Sequence, residues 1–358
     1  MEDTLINTII AVALAFVISL AATPLVRRLA IKIGAMDIPK DNRRMHKVPM
    51  PLIGGLAIFI SFVVTCILFM GTNMRVSVYI GAAIIVILGI FDDIYDIKAV
   101  IKFIVQIIAA LILISDGVLI SSITVFGVYV NLGWLSYPLT VFWIVALVNA
   151  FNLIDGLDGL SCGMCAICCV SLFAVGIVMG NYYGALPAAI LFGSCMGFLP
   201  YNFYPAKIFM GDTGAYFLGY IMAVISIEGV FKMSAVISFL LPIIIFALPL
   251  FDTAFAFIRR ILEGEGPFTP DKKHLHHRLI EAGLSQKQAV GVLYSICAFC
   301  GIVAVISTDA ILSDLPYMKW VILFAAAAVT IAFDYVLSGR RQKKGNKKGK
   351  DAKKSDRV

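Results

Sequence analysis

The amino-acid sequence predicts an all-α polytopic membrane protein with about eleven transmembrane helices. Of its 358 residues, 61% are hydrophobic and only 14% are charged, and the mean hydropathy is +0.96. Soluble domains carry about 25% charged residues. The apolar residues form runs of roughly 17–25 residues, the length of a helix that crosses a bilayer. Composition therefore excludes a soluble enzyme, and no nucleic-acid partner is expected.

The predicted helices follow one another along the chain. They cover residues 5–26, 52–70, 76–91, 100–114, 136–150, 160–179, 184–199, 213–227, 235–258, 289–306 and 317–337. Acids precede the first helix and Arg27 and Arg28 follow it, which is the reverse of a signal peptide, so a retained helix is expected. The eight cysteines lie inside apolar runs, where Cys serves as a small hydrophobe, and neither zinc nor disulfides are expected.

Basic residues predict the orientation, because Lys and Arg accumulate on the cytoplasmic side. With the amino terminus outside, only Arg75, Lys232 and Lys319 of the 29 Lys and Arg face outward. The carboxy terminus is then cytoplasmic. We expect a membrane domain over residues 1–338 and a basic, disordered cytoplasmic tail over 339–358. Alternating Val, Thr and Tyr within 117–134 predict an outer hairpin.

The stretch 149–160, NAFNLIDGLDGL, interrupts these apolar runs with Asn149, Asn152, Asp155 and Asp158 in steps of three. Acids at the end of an apolar run are costly unless they face water, pair with a cation or bind a metal. The alternative is that Asn152 and Asp155 cap the next helix. One cap needs one such residue, so four of them favour a site.

Adjacent carboxylates at Asp92 and Asp93 form a second acidic motif at a predicted membrane boundary. Two such groups repel each other, so they either share a proton or hold a cation. Lys102, at the start of the next helix, is near enough to offset their charge. A solvated helix end is the alternative. We favour a site, because acid pairs recur on the same side at Asp155 and Asp158.

The third motif is a glycine-bounded turn, GDTG, that opens the helix after residue 210. A helix start offers free amide groups, which favour phosphate, and a flanking Asp212 can bind Mg²⁺ through one carboxylate. For Asp212 alone, capping of its own helix is the competing interpretation.

Basic and imidazole side chains gather in the first and fourth inner segments. They are Arg43 and His46 in the first, and His274, His276, His277 and Arg278 in the fourth. The first group also fits the general excess of Lys and Arg in cytoplasmic segments of membrane proteins. Zinc is conceivable for the histidines, but the flanking cations favour an anion. Acids that suit Mg²⁺ beside cations that suit phosphate together indicate phosphoryl transfer at the cytoplasmic membrane surface.

Taken along the chain, the acid pair at Asp92, the stretch from Asn149, the GDTG turn and the histidines from His274 resemble, in this order, the polyprenyl-phosphate N-acetylhexosamine-1-phosphate transferase superfamily. The resemblance covers residues 5–337. It implies transfer of a sugar 1-phosphate from a UDP-sugar donor to undecaprenyl phosphate in the bacterial cytoplasmic membrane, with release of UMP. Mg²⁺ is implied as the cofactor, with Mn²⁺ as a substitute, and a homodimer is plausible.

Two details resemble the branch that uses UDP-N-acetylglucosamine and starts teichoic-acid linkage units, O-antigen or enterobacterial common antigen. They are Asp96 after the acid pair and the order HLHH at 274–277. The peptidoglycan branch, which uses UDP-N-acetylmuramoyl-pentapeptide, has three contiguous histidines and stays the alternative. Ala215 stands where Ser is commoner in the family, which puts one hydroxyl contact in doubt.

The resemblance also implies roles for single residues. Asp212 would bind Mg²⁺ on the donor diphosphate, and Asp92 and Asp93 would sit at the acceptor phosphate, one as a base. The other expected site residues are Asn152, Asp155 and Lys102 near the nucleotide, Asp158 in support, His274, His276 and His277 at the sugar or diphosphate, and Arg278, Arg43 and His46 among the substrate contacts. Direct attack by the lipid phosphate and a two-step route through an aspartyl-phosphate both stay open.

An ion-coupled transporter is the hypothesis from a different class. It would place acids near the midplane of interrupted helices and show inverted repeats. Here every acidic cluster falls at a predicted inner helix end, and the sequence shows no repeat.

Overall fold

The computed structural model describes residues 2–38, 48–125, 128–231, 240–264 and 274–312. Within them the chain is a bundle of helices with two small hairpins. Arg43, His46, the predicted eleventh helix at 317–337 and the tail at 339–358 lie outside the described residues.

The described helices match most of the predicted ones in order and position. They are α1 Glu2–Ile33, α2 Gly55–Met70, α3 Val76–Tyr95, α4 Ala99–Ser115, α5 Ser136–Ile154, α6 Leu160–Val178, α7 Tyr182–Asn202, α8 Gly211–Ser226, α9 Leu240–Ile245, α10 Ala247–Leu262, α11 Leu275–Glu281 and α12 Gln286–Leu312. In this part of the chain, eight helical segments are long and apolar enough to cross a membrane, and α4 is a shorter apolar helix. The protein is therefore a multi-pass membrane protein, and the count of eleven stays a prediction.

The prediction of one continuous helix over 235–258 is wrong, because one helix ends at Ile245 and the next begins at Ala247. Pro249 has no N–H to donate to the carbonyl of Ile245, four residues earlier, and its ring disfavours a straight helix there. The thiol of Cys168 on α6 lies 3.4 Å from that carbonyl oxygen and donates to it. A neighbouring helix thus satisfies the group that proline frees, as apolar surroundings require.

Four strands form the two hairpins. β3 (Ser122–Val125) and β4 (Val128–Asn131) pair antiparallel, which confirms the predicted hairpin. β1 (Met36–Asp37) pairs with β2 (Met50–Pro51) and brings the chain into α2. The N–H of Phe209 donates to the carbonyl of Pro51 at 2.9 Å, so this entrance lies against the residues that lead into α8.

Helix α8 is the centre of the bundle, and its residues 213–226 are all buried. Two glycines let other helices approach the backbone at its start. A Cβ on Gly89 of α3 would collide with the backbone of Thr213, and one on Gly55 of α2 would collide with Gly214. Small residues allow helices in a membrane to pack at backbone distance. This packing places the end of α3, with its acid pair, beside the start of α8.

Candidate active site

Asp93 binds the start of α8. Its Oδ1 accepts the backbone N–H of Asp212 at 2.8 Å, and its Oδ2 accepts the N–H and hydroxyl of Thr213 at 3.1 and 2.7 Å. An acid of α3 thus caps another helix, where the helix dipole favours negative charge. The expectation that these two amides are free to bind phosphate is therefore wrong.

Asp92, its neighbour, points into the bundle and is 5% exposed. Its Oδ2 lies 2.6 Å from Nζ of Lys102 on α4 and accepts the hydroxyl of Tyr216 on α8 at 2.8 Å. Its Oδ1 accepts the N–H of Ile97 at 2.9 Å. The predicted compensation of the acid pair by Lys102 is present, because a buried carboxylate needs such partners.

Asp212 occupies the second position of α8 and does not cap it, since the helix starts after Met210 without a side-chain cap. Its Oδ1 accepts Nδ2–H of Asn152 at 2.5 Å. Its carboxylate also lies against that of Asp92. The structure therefore joins three of the predicted motifs, the acid pair, the 149–160 stretch and the GDTG turn, in one cluster.

Asp155 and Asp158 lie in the short turn between α5 and α6. Gly159, with φ 74°, is the N-cap of α6, and the side chain that binds its N–H is that of Asn202, so the capping alternative for Asn152 and Asp155 is wrong. Asp158 Oδ2 accepts the N–H of Ala206 at 2.9 Å, which ties this turn to the α7–α8 loop.

The carboxyl group of Asp155 stands out in this turn because it lacks a partner in the part of the chain that the structure describes. Within the described residues, no hydrogen-bond donor reaches it. Burial, and then the negative charges of Asp93 and Asp158, raise the pKa of Asp155 to about 8. A carboxyl group kept neutral by burial and like charge, without a partner, is typical of a site that awaits a cation or a polar ligand.

The histidines pack onto the same turn. The ring of His276 is so close to Gly156 that a Cβ there would collide with it, and among the described residues neither of its buried ring nitrogens has a hydrogen-bond partner. Burial, and then the neighbouring His277, lower the pKa of His276 to about 3, so the ring is neutral at physiological pH. The His277 ring lies 4.3 Å from that of His276, and Arg278 follows on α11, half-buried.

Asn149 is the residue of the 149–160 stretch that the structure sets apart. Its Nδ2 donates to Gln106 on α4 and to the carbonyl of Val145, each at 2.7 Å. It therefore joins α5 to α4, and among the described residues its side chain makes no hydrogen bond to the carboxylate cluster.

Sequence reasoning missed three polar residues that hold the site together. They are Tyr216, which binds Asp92, Asp252 on α10, which binds His274, and Asn202 at the end of α7. Asn202 Oδ1 accepts the N–H of Gly159 at 3.1 Å and its Nδ2 donates to the carbonyl of Ile208 at 3.1 Å, so it links the two loops. For Tyr216 and Asp252 the usable signal was a polar residue inside a predicted spanning helix, which is costly without a function.

The donor set fits Mg²⁺. Within the described residues, no group of three or more His, Cys, Asp or Glu side chains stands in a geometry ready to hold a metal ion. Mg²⁺ does not need one, since it keeps several waters and binds through one or two carboxylates plus substrate phosphates. Asp212, beside Asp92 and bound by Asn152, would supply those oxygen ligands.

Comparisons with known proteins agree with these motifs. The profile of glycosyl transferase family 4 matches residues 75–230. A probable undecaprenyl-phosphate N-acetylglucosaminyl 1-phosphate transferase of Bacillus subtilis (strain 168) is 42% identical over 315 residues, which are 87% of this chain and 87% of the relative.

Two further relatives come from other bacteria. A decaprenyl-phosphate N-acetylglucosaminephosphotransferase of Mycolicibacterium smegmatis is 33% identical over 365 residues, 91% of this chain and 87% of the relative. An undecaprenyl-phosphate alpha-N-acetylglucosaminyl 1-phosphate transferase of Escherichia coli (strain K12) is 30% identical over 325 residues, 87% of this chain and 86% of the relative. The chain belongs to glycosyl transferase family 4 and, as its motifs indicate, to the polyprenyl-phosphate N-acetylhexosamine-1-phosphate transferases.

Proposed function

We propose that this protein transfers N-acetylglucosamine 1-phosphate from UDP-N-acetylglucosamine to undecaprenyl phosphate, forming undecaprenyl-diphosphate-N-acetylglucosamine and UMP. The observation that carries the proposal is the meeting of Asp92, Asp93, Asp155 and Asp212 with Lys102 at one end of a membrane bundle. The relatives' names supply the sugar and the acceptor class. They favour this donor over the muramoyl-pentapeptide donor and an enzyme over a transporter.

In the proposed reaction an oxygen of the lipid phosphate attacks the sugar-bearing phosphorus, and the bond from that phosphorus to the bridging oxygen breaks as UMP leaves. Asp212 and Asp92 would hold Mg²⁺, which when bound would neutralise charge on the donor diphosphate. Asp93 keeps Asp212 in place by binding the start of α8. Lys102 offers the positive charge nearest to Asp92, suited to the acceptor phosphate.

The donor would bind at Asp155, Asn152 and the histidine loop, which is the segment that carries His274, His276 and His277. Asp155 in the turn and His276 packed against it offer polar groups that have no hydrogen-bond partner among the described residues. Asn152 links that turn to Asp212, so donor binding and metal binding are joined through one side chain. Asp158 and Asn202 hold the turn against the α7–α8 loop.

The acceptor class and the distribution of basic residues support a reaction at the cytoplasmic face of the bacterial cytoplasmic membrane. The long isoprenoid stays in the bilayer, since withdrawing it would cost about 0.8 kcal/mol for each CH₂. The product would start a cell-envelope glycopolymer such as a teichoic-acid linkage unit or O-antigen, and two copies could form a homodimer.

A label on the β-phosphate of UDP-N-acetylglucosamine tests the transferred group. Purified protein with Mg²⁺ and undecaprenyl phosphate should move the label into the lipid phase and release unlabelled UMP. Label that stays in water as UDP would show transfer of the sugar alone and would refute the proposal.

A further inference from the structure

A buried carboxylate behind the histidine loop has no role in the reaction as described so far. Asp252, on α10 just after the break near Pro249, is 6% exposed. Its Oδ2 lies 2.9 Å from Nδ1 of His274, and its Oδ1 accepts the N–H of Leu275 at 2.9 Å. One oxygen therefore orients a ring and the other holds the first residue of α11.

The bond to Asp252 decides which nitrogen of His274 carries the proton. A carboxylate only accepts, so Nδ1 must be the donor, and the lone pair of the neutral ring is left on Nε2. The ring of His274 stacks parallel to that of His276, with centroids 5.9 Å apart. His276 in turn packs on Gly156 in the acidic turn, so the fixed ring belongs to the donor side of the site.

We propose that Asp252 is a positioning residue that makes His274 read the sugar of the donor. This inference rests on the proposed function and goes beyond it. With Nδ1–H committed to Asp252, the neutral form of the His274 ring has its acceptor at Nε2. An acceptor pairs with a hydroxyl or the N-acetyl N–H of the sugar. A phosphate oxygen, which also accepts, is a poor partner for it.

Asp252→Asn separates positioning from folding. The amide oxygen can still accept the N–H of Leu275, while the amide N–H₂ turned toward His274 would require the opposite tautomer. Asp252→Ala loses both bonds. Thr253→Val, at the next position of α10, is the matched control because the Thr253 hydroxyl has no partner among the described residues.

Full-length variants in detergent are compared for kcat/KM with UDP-N-acetylglucosamine, for inhibition by UDP and for thermal unfolding. We expect Asp252→Asn to lower kcat/KM about 10- to 100-fold, as loss of a ring-orienting partner does. UDP, which lacks the sugar, should inhibit within about twofold of wild type. The unfolding temperature should stay near wild type, and Thr253→Val should match wild type throughout.

A double variant shows whether Asp252 acts through His274. Added to His274→Ala, Asp252→Asn should cost less than about twofold more. Three results would each overturn the inference. Asp252→Asn could keep the wild-type kcat/KM, or it could weaken inhibition by UDP as much as it lowers kcat/KM. In the third, the losses of the two single variants would add up in the double variant. Wild-type protein that turns over no UDP-N-acetylglucosamine would instead refute the proposed function, before any variant is compared.

Discussion

The carboxylate of Asp93 accepts the backbone N–H of Asp212 over 2.8 Å, although 119 positions separate the two residues in the sequence. The second acid of the adjacent pair is thus part of the start of α8. The acid pair and the residue proposed to bind Mg²⁺ form one structural unit, so a change in either should move the other.

Asp93→Asn should weaken that unit. The amide keeps one acceptor but turns a donor toward the donors of Thr213, and the loss of a helix cap costs about 1–2 kcal/mol. Displacement of Asp212 by about 1 Å should lower turnover about 100-fold. Thermal unfolding and UMP release measure the two effects.

Thr213→Val is the matched control for Asp93→Asn, since it removes only the hydroxyl bond at 2.7 Å. Thr213→Val should lose less thermal stability and less turnover than Asp93→Asn. An Asp93→Asn variant with wild-type stability and no turnover would contradict the capping role and make Asp93 a reacting group.

Lys102→Met should lower turnover about 100-fold, the usual scale for removing one electrostatic partner at a reacting centre. Asp92 would lose the cation 2.6 Å away and remain buried. Lys98→Met serves as the control, because Lys98 is exposed at the N-cap of the same helix. Equal rates of UMP release in the two variants would remove Lys102 from the site.

The pKa of Asp155 near 8 predicts a pH dependence. The carboxylate that can bind a cation forms only as pH rises, so kcat/KM for the donor should climb with a midpoint near the pKa of about 8 and level off above it. Asp158→Asn removes one nearby negative charge and should move the midpoint to lower pH. A midpoint that does not move would show that Asp155 is not the group observed.

The same proton on Asp155 should also affect the stability of the fold, which should decrease over the pH range in which activity increases. The folded protein keeps the Asp155 proton between pH values near 3.8 and about 8, where the unfolded chain has released it, so stability falls as pH rises through that window. Without Mg²⁺, Asp155→Asn should therefore unfold at a higher temperature than wild type at about pH 9 and at a similar one at about pH 4. A variant less stable than wild type at the higher pH would contradict this.

Gly156→Ala should push the ring of His276 away from the acidic turn, because a Cβ at Gly156 collides with it. The expected result is a higher KM for the donor, with KM for undecaprenyl phosphate unchanged. Gly291→Ala in α12 is the control, since a Cβ there meets nothing within 4 Å. If both variants have the same donor KM, the histidine loop does not depend on this contact.

Much of the fold was predictable because most apolar runs are long and end at polar residues or glycines. The prediction of a continuous helix failed near Pro249. The chain breaks there, and the thiol of Cys168, from another helix, binds the carbonyl that the break leaves free. A single sequence shows the proline and the cysteine but not that they meet.

The site was predictable as a set of motifs and not as a geometry. Spacing indicated Asp92, Asp155 and Asp212, since acids in an apolar chain need a reason. Tyr216 and Asp252 escaped because each is one polar residue in a predicted spanning helix, and their partners are far away in the sequence.

The most direct test incubates purified protein with Mg²⁺, undecaprenyl phosphate and, in parallel, UDP-N-acetylglucosamine or UDP-N-acetylmuramoyl-pentapeptide, and quantifies UMP. The proposed function predicts UMP with the first donor only, and none when the lipid acceptor is omitted. UMP with the second donor only would assign the protein to peptidoglycan synthesis, and no UMP with either donor would contradict the proposed phosphotransfer itself.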